Sequence, residues 1–525
     1  MSASATLPSA QSPARPWLKW VIAITASLGA VLEVLDTSIV NVALSDMQST
    51  LGATLSEIGW VVTGYAIANV IIIPLSAWLG DVFGKKNYFI FSMVAFVLAS
   101  VLCGLSNSLA MLVAARIFQG LAGGGLLAKA QAILFENFPR EEQGKAQAIF
   151  GIGVIVGPTL GPTLGGYLTT NFSWPWIFYI NIPFGILAVV MSVMFLPQDK
   201  PRTVSHPVDW LGIGSLVVAL GSLQWLLEEG NSEDWFDSPL IQKLAIGAVV
   251  GSVVFVWREL TTAFPAVNLR VLRYRSLAAG SVFSAVLGSG LYGALFTIPI
   301  FCQQMLGYTP MQTGMVLLPG ALTAAFLMPV AGRLSTLLDP RIMVGVGAVT
   351  IAASMFWLEG ISPQTNTDTM FVPLLLRGAG TVFMFLPLTL ATFGGVPRKD
   401  IADASGFYSL TRQLGGSIGI AILTTLLEQR EHFHRANLVE HVGVFEQASN
   451  QRVSLLEKML QAGGADLATA HQQAIALIDR GVNLQAAVMS FGDIFHVVGW
   501  SFIGCLPLLF LLEKPKRDAT PVDAH

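Results

Sequence analysis

Charge is what this sequence has least of. Asp, Glu, Lys and Arg make up 12% of its 525 residues, against about 25% in an average soluble domain. With 53% of the residues hydrophobic and a mean hydropathy of +0.65, there is too little polar surface for a globule surrounded by water. Cysteine is scarce too: Cys103, Cys302 and Cys505 fall within or at the edge of apolar runs and share no paired spacing, which argues against a disulfide framework or a cysteine metal site. The phosphate-loop pattern G-x-x-x-x-G-K-[ST] is missing, since Gly84-Lys85-Lys86 is followed by Asn87, and an ATP-driven pump is thereby excluded. No H-E-x-x-H occurs. These absences argue against an enzyme, and no cofactor, metal or nucleic-acid partner is expected. If the chain transports anything, the energy comes from an ion gradient.

Long apolar runs are what it has instead. A membrane span needs about 20 mostly apolar residues, and fourteen such runs lie near 17–40, 58–79, 87–106, 108–130, 147–169, 177–196, 210–228, 241–257, 277–299, 312–334, 342–360, 370–393, 404–427 and 494–512. The expected class is therefore an all-α integral membrane protein. Basic residues follow the positive-inside rule for short loops: Lys85, Lys86, Arg140, Lys145, Arg258, Arg270, Arg273, Arg275, Arg333, Arg341, Arg398 and Lys399 all fall on one side, whereas the short loops of the other side hold Lys243 alone. One missed or invented helix would have scrambled this alternation. It predicts a multi-pass protein of the cytoplasmic (inner) membrane with both termini cytoplasmic. The polar start of the chain reads as a tail, and the apolar run after it is too long for a signal-peptide core.

Charges inside the runs stand out because an acidic residue deep in a span costs roughly 2.5–3.5 kcal/mol on insertion scales. Glu33 and Asp36 lie in the first run, three residues apart and so on one helix face. A proton or substrate role is the default reading, and a structural ion pair with a buried arginine is the alternative. Arg116 in the fourth run needs a partner, for which Glu33 or Asp36 is the candidate, while Lys129 lies nearer the inner end, where it could snorkel. Between the second and third runs, Gly84 permits a tight turn, and Asp81 with Lys85 and Lys86 could latch one conformation shut. A solvated, topology-setting loop would explain the lysines alone.

In the fifth run Gly153, Gly157, Gly161 and Gly165 recur every fourth residue and form one bare stripe, followed by Gly166. Another backbone can approach such a stripe closely. Pro158 and Pro162 beside it each remove a backbone donor and favour a bend. A hinged, close-packing helix suits a moving transporter; a static packing seam is the plainer reading.

These stretches resemble the signature motifs of the major facilitator superfamily, and the set is similar to its fourteen-span drug:proton antiporters of the EmrB/QacA type. Leu35-Asp36-Thr37 to Asn41-Val-Ala-Leu44 resembles the first-helix motif, with Ser45 where proline is usual; the 77–86 turn resembles the loop motif, with Ala77 and Val82 as departures. Arg116, Gln119 and Gly120 match the fourth-helix motif, and Gly157 to Gly166 the fifth-helix motif of antiporters. Further similarities lie at Trp176 to Gly185, Gln304 to Tyr308, Gln413 to Gly419 and Asp493 to Phe495. The resemblance implies the major facilitator fold, 14 transmembrane helices in two six-helix bundles plus two inserted helices, and a proton-coupled antiporter exporting hydrophobic or cationic drugs. It also implies proton-coupling roles for Asp36, Glu33 and Arg116.

Internal echoes support two related halves. Arg377-Gly378-Ala-Gly380 echoes Arg116 and the glycines after it, Gly332-Arg333 to Arg341 echoes the 77–86 turn, and Gly415 with Gly419 partly copies the fifth run. Such repeats place a substrate site at midplane between the halves, with Asn41, Tyr65, Asn69, Gln119, Tyr292 and Gln303 as candidate contacts or, equally, helix packing. The domain reading is a tail at 1–16, a first bundle at 17–198, a linker with the seventh and eighth helices at 199–274, a second bundle at 275–512 and a tail at 513–525. The one large extramembrane piece, 428–491, shows helical periodicity at 445–462 and 465–478, a helical hairpin that could dock a periplasmic membrane fusion protein leading to an outer-membrane channel, or lie on the membrane. A narrow-specificity exporter of a metabolite, lipid or siderophore, and a membrane enzyme or sensor without transport, remain as alternatives.

Overall fold

Apolar runs of this length can satisfy their backbone in a bilayer only as helices, and a computed structural model describes residues 17–198, 208–442 and 446–512 in that form. The helices are α1 (Leu18–Leu51), α2 (Leu55–Phe83), α3 (Lys85–Gly104), α4 (Leu109–Gly123), α5 (Leu126–Asn137), α6 (Arg140–Asn171), α7 (Trp176–Tyr179), α8 (Asn181–Phe195), α9 (Trp210–Glu229), α10 (Pro239–Thr261), α11 (Arg275–Ile300), α12 (Pro310–Leu334), α13 (Pro340–Glu359), α14 (Thr367–Gly394), α15 (Ile401–Glu440), α16 (Gln447–Ala462) and α17 (Leu467–Gly504). Among the described residues, fourteen helical segments are long and apolar enough to cross a membrane, one for each run expected from the sequence. The tails at 1–16 and 513–525 and linker residues 199–207 lie outside the described residues.

Local chemistry sets the ends. Thr54 Oγ1 accepts the Glu57 backbone N–H at 3.3 Å while Glu57 Oε2 accepts that of Thr54 at 2.9 Å, a reciprocal cap that starts α2. Thr309 and Gln312 do the same for α12. Such a cap is worth about 1 kcal/mol because it satisfies donors the helix leaves orphaned. In the fourth span Gly125 adopts φ +87°, a conformation that only glycine enters without strain, and the run divides there into α4 and α5.

Two bundles result. In the first, α1 packs on α6 and α8, α3 on α4 and α8, and α2 on α4; in the second, α11 packs on α15, α13 on α14 and α17, and α12 on α14. The bundles meet where α6 faces α12 and where α15 faces α2 and α5. At the arginine-rich end this contact is close: Ser405 Oγ donates to the Ala128 carbonyl at 2.7 Å, and the Phe135 and Phe393 rings stand 4.5 Å apart.

The inserted helices α9 and α10 pair with each other, and α9 leans on α2 of the first bundle and α15 of the second. Gln224 Nε2 donates to Ser417 Oγ at 2.9 Å and Trp235 Nε1 to Thr425 Oγ1 at 3.0 Å, while Thr63 Oγ1 donates to Glu229 Oε1 at 3.3 Å. At their other end Asp209 caps α9 through the Gly212 N–H, 3.1 Å away, and takes Arg258 Nε of α10 on both oxygens at 3.0 Å. Asp209→Ala removes the cap and leaves a guanidinium without its acid, so we expect a loss of about 1–3 kcal/mol, read as a thermal midpoint a few degrees lower in detergent. An unchanged midpoint would show that the α9–α10 clasp carries no stability.

The extramembrane piece contains the expected helical hairpin, α16 turning back onto the opening of α17 with His471 paired to Glu457 between the arms. It departs from the expectation in extent: the second arm runs unbroken into the last span, and α15 continues out of the thirteenth span to Glu440. Hydropathy falls where a helix leaves the bilayer while its hydrogen bonding continues, so the spans read from apolar runs ended too early on both sides. Arg435 ties the extensions together through Asp479 at 3.0 Å and Asn483 at 2.6 Å.

Candidate functional site

Glu33 and Asp36 share a face of α1, as their spacing requires, and both are buried. They are held by different partners. Asp36 Oδ2 accepts Arg116 Nη1 at 2.6 Å, and its Oδ1 accepts Gln119 Nε2 at 2.9 Å and Asn181 Nδ2 at 2.8 Å. Arg116 also donates from Nε to the Val61 carbonyl at 3.0 Å and lies over the Tyr65 ring, 4.1 Å from its centroid. Gln119 reaches Ser100 on α3 at 2.8 Å. One carboxylate thus gathers side chains from α2, α3, α4 and α8 around α1, and the arginine is paired with Asp36 rather than Glu33.

Glu33 is held by a backbone device that the break at Gly125 creates. Because α5 restarts at Leu126, the Leu127 N–H has no helical partner, and it donates to Glu33 Oε2 at 2.8 Å. A helix N-terminus carries partial positive charge and favours a carboxylate there. Asn69 Nδ2 donates to the other oxygen at 3.0 Å.

Lys129 does not snorkel. Its Nζ donates to Ser92 Oγ at 2.9 Å and sits 3.1 Å from the centroid of the Tyr88 ring, so it is held inside the first bundle by α3. At the 77–86 turn, Gly84 takes φ +84° and joins α2 directly to α3. Lys85 pairs with Glu136 at the end of α5, 2.5 Å away, and Lys86 donates to the Val193 and Leu196 carbonyls at the end of α8, both at 2.8 Å. Asp81 lies in the last turn of α2.

The glycine stripe of α6 faces α1, within the first bundle. A Cβ at Gly161 would stand 2.7 Å from Ser38 Cβ and 3.0 Å from the Ile39 nitrogen, one at Gly165 would meet Ile39 and Val42, and Gly153 faces Val31. Gly157 is roomier, with Val34 at 3.5 Å. Pro158 and Pro162 lie inside one continuous helix. Gly166 instead abuts Pro310 and Met311 of α12, so contact with the second bundle uses the end of the motif rather than its stripe.

Of the six expected substrate contacts, Tyr65, Asn69 and Gln119 come together around the acids and Arg116, Asn69 Nδ2 donating to Tyr65 Oη at 3.5 Å, and the other three do not join them. Asn69 and Gln119 are spent on the two acids and Tyr65 on the arginine; Tyr292 packs at Gly416 of α15, while Asn41 and Gln303 are exposed. Sequence reasoning missed Asn181 as a member of the Asp36 network, although it stands in a motif already noted. It also missed Leu127 and Glu136, for which the glycine run before α5 was the available signal. A nucleophile-like spacing, Gly415-Gly416-Ser417-Ile418-Gly419, falls in mid-helix, where Ser417 Oγ bonds to Gln224 and to the Gln413 carbonyl. The strand-to-helix turn that exposes a catalytic serine is absent at this place.

Residues 26–420 match the description of the Major Facilitator Superfamily. The chain is similar to the multidrug export protein EmrB of Escherichia coli K12, 34% identical over 496 residues that cover 94% of this chain and 95% of that protein. It is 31% identical over 499 residues to the fatty acid resistance protein FarB of Neisseria gonorrhoeae, covering 95% and 96% of the two chains. Among solved structures, the human organic anion transporter MFSD10 superposes with a TM-score of 0.58 at 14% identity, over 93% of this chain and all of that one, a likeness of fold.

Proposed function

The chain belongs to the Major Facilitator Superfamily, and from that premise we propose that it exports hydrophobic or cationic drugs and other toxic compounds across a membrane in exchange for protons. The observation that carries the reading is the buried Asp36 carboxylate, the one group on which Arg116, Gln119 and Asn181 all converge. A proton arriving on Asp36 Oδ2 cancels the ion pair with Arg116, and the guanidinium then keeps the Val61 carbonyl and Gln119 alone. Because these partners sit on different helices, the charge state of one group biases how the first bundle packs, the kind of two-state element that alternating access needs. Glu33 at the start of α5 is the auxiliary proton site, and Lys85, Lys86, Asp81 and Gly84 form the latch at the end where the bundles touch. Release of the proton restores the pair as cargo is taken up.

The basic residues at that end assign it to the cytoplasm by the positive-inside rule, with both termini there and the α15–α17 tip outside. The tip offers a face for a periplasmic membrane fusion protein and an outer-membrane channel. The two moving bodies are bundles at 17–198 and 275–512, on either side of a linker that carries the seventh and eighth spans.

Efflux of a fluorescent lipophilic dye from cells expressing the protein, with and without a protonophore, tests the proposal. Export that stops under the protonophore is the expected result. A well-expressed protein that exports no dye at all would favour the second reading, a narrow exporter of one metabolite, lipid or siderophore.

A further inference from the structure

Arg377 lies on the fourth helix of the second bundle, as Arg116 lies on the fourth of the first, and it lacks the acid. Arg116 on α4 meets Asp36 of α1 at 2.6 Å. Arg377 on α14 is 7% exposed, and the residues that α11 brings to its cavity are Leu291 and Leu295. Its Nη1 has no hydrogen-bond partner, and no described carboxylate pairs with it. Arg412 differs: it is 2% exposed with both terminal nitrogens unpartnered and its guanidinium over the Phe385 and Tyr408 rings at 5.6 and 5.8 Å, but it lies within electrostatic reach of the Glu33 carboxylate. Among the described residues, these two cations are the buried charged side chains of the second bundle.

A guanidinium kept out of water without a counter-ion costs several kcal/mol, a cost that an incoming anion would offset. The surroundings say which kind of anion. The cavity beside Arg377, about 20 Å³, is walled by Val154, Ile155 and Thr159 of α6 together with Leu291 and Leu295. One wall comes from the first bundle and the other from the second, so the space widens when the bundles part; besides the arginine only Thr159 and Thr381 are polar in this lining, and the Thr381 hydroxyl is spent on the Arg377 carbonyl at 2.8 Å.

We propose that Arg377 is an anion subsite, receiving the carboxylate or other singly charged group of a lipophilic compound whose apolar body lies against Val154, Ile155, Leu291 and Leu295. The inference rests on the export reading and adds to it a class of cargo, amphiphilic acids, that a preference for cations alone would exclude. A guanidinium presents paired N–H donors that match a carboxylate in plane, which a lysine cannot do. An anionic phospholipid offers the same chemistry through its phosphate, and the experiment separates the two sources.

The test is binding of pyrenebutyrate, and of its uncharged methyl ester, to the full-length protein in nanodiscs of neutral phosphatidylcholine, read by pyrene fluorescence for wild type, Arg377→Gln and Arg377→Lys. The acid is expected to bind at least about tenfold more weakly to Arg377→Gln, as for one lost charge-assisted hydrogen bond. It should bind with intermediate strength to Arg377→Lys, while the ester binds alike to all three. Equal acid affinity in wild type and Arg377→Gln overturns the proposal, and parallel loss of acid and ester gives Arg377 a structural role and overturns it too. If phosphatidylglycerol in the disc displaces the acid from wild type and not from Arg377→Gln, the site belongs to a bound lipid and its role in cargo selection is overturned. No gradient is used, so Arg377-dependent binding without protonophore-sensitive efflux would overturn the export reading and leave the subsite standing.

Discussion

Asp36→Asn is expected to abolish proton-driven export while the protein still inserts and folds. Asparagine keeps the shape of aspartate and can accept through one oxygen, but it has no charge to gain or lose, so the Arg116 pair can no longer be switched. The substitution also leaves the Arg116 guanidinium buried without its acid, a loss that reaches about 3–5 kcal/mol when a buried pair is broken by removing one partner. Hydrogen bonds to Val61 and Gln119 survive it, and the cation remains over Tyr65, which should hold the fold together at reduced stability. The measurement is dye efflux from cells beside size-exclusion profiles of the purified variant. A monodisperse Asp36→Asn protein that exports only as much as empty cells, with or without a protonophore, is the predicted outcome. Wild-type export that a protonophore still stops would remove Asp36 from the coupling mechanism. Glu33→Gln is the informative contrast, because its amide oxygen can keep the Leu127 N–H while Asn69, with its own amide turned about, accepts from the new Nε2 in place of donating to the carboxylate. Its export should fall far less.

What could be read from the residues followed from what a bilayer penalises. Charges in apolar runs are costly enough to be conspicuous, so Glu33, Asp36 and Arg116 announced themselves. The span count was secure for the same reason, with the basic residues checking its parity. Which acid takes the arginine was open, because i and i+3 place both on one face and only the rotation of α4 against α1 decides between them. Asn181 stood in a visible motif, but it is uncharged, and only the packing of α8 against α1 makes it the third partner of Asp36. The donor for Glu33 is a backbone N–H, which has no residue type at all; it exists because Gly125 takes a positive φ and restarts the helix. The isolation of Arg377 was hidden as well. Its echo of Arg116 was visible, but the missing partner is a statement about α11, where two leucines stand in the cavity beside it.

Along the glycine stripe, the largest loss is expected at Gly161 and the smallest at Gly157. At Gly161 a leucine would have to enter a seam where even a Cβ stands 2.7 Å from Ser38 Cβ and 3.0 Å from the Ile39 backbone nitrogen, atoms of α1 that cannot retreat alone. Overpacking of this kind costs typically ~1–3 kcal/mol in a well-packed core, and here the displaced helix carries Glu33 and Asp36. Gly161→Leu should therefore stop export by pushing α1 off its network, in addition to any loss of mobility at Pro158 and Pro162. Gly157→Ala puts its methyl 3.5 Å from Val34, an ordinary contact, and should export like wild type. The two readings of the stripe then part on a third variant. If α6 bends during transport and α1 must follow, Gly157→Leu, which leaves the tightest contacts untouched, still slows turnover while the thermal midpoint holds. If the stripe is a static seam, turnover and midpoint fall together along the series in the order of the crowding at each glycine. Gly161→Leu with unchanged turnover would contradict both, since α1 would then tolerate a side chain where the structure leaves room for none.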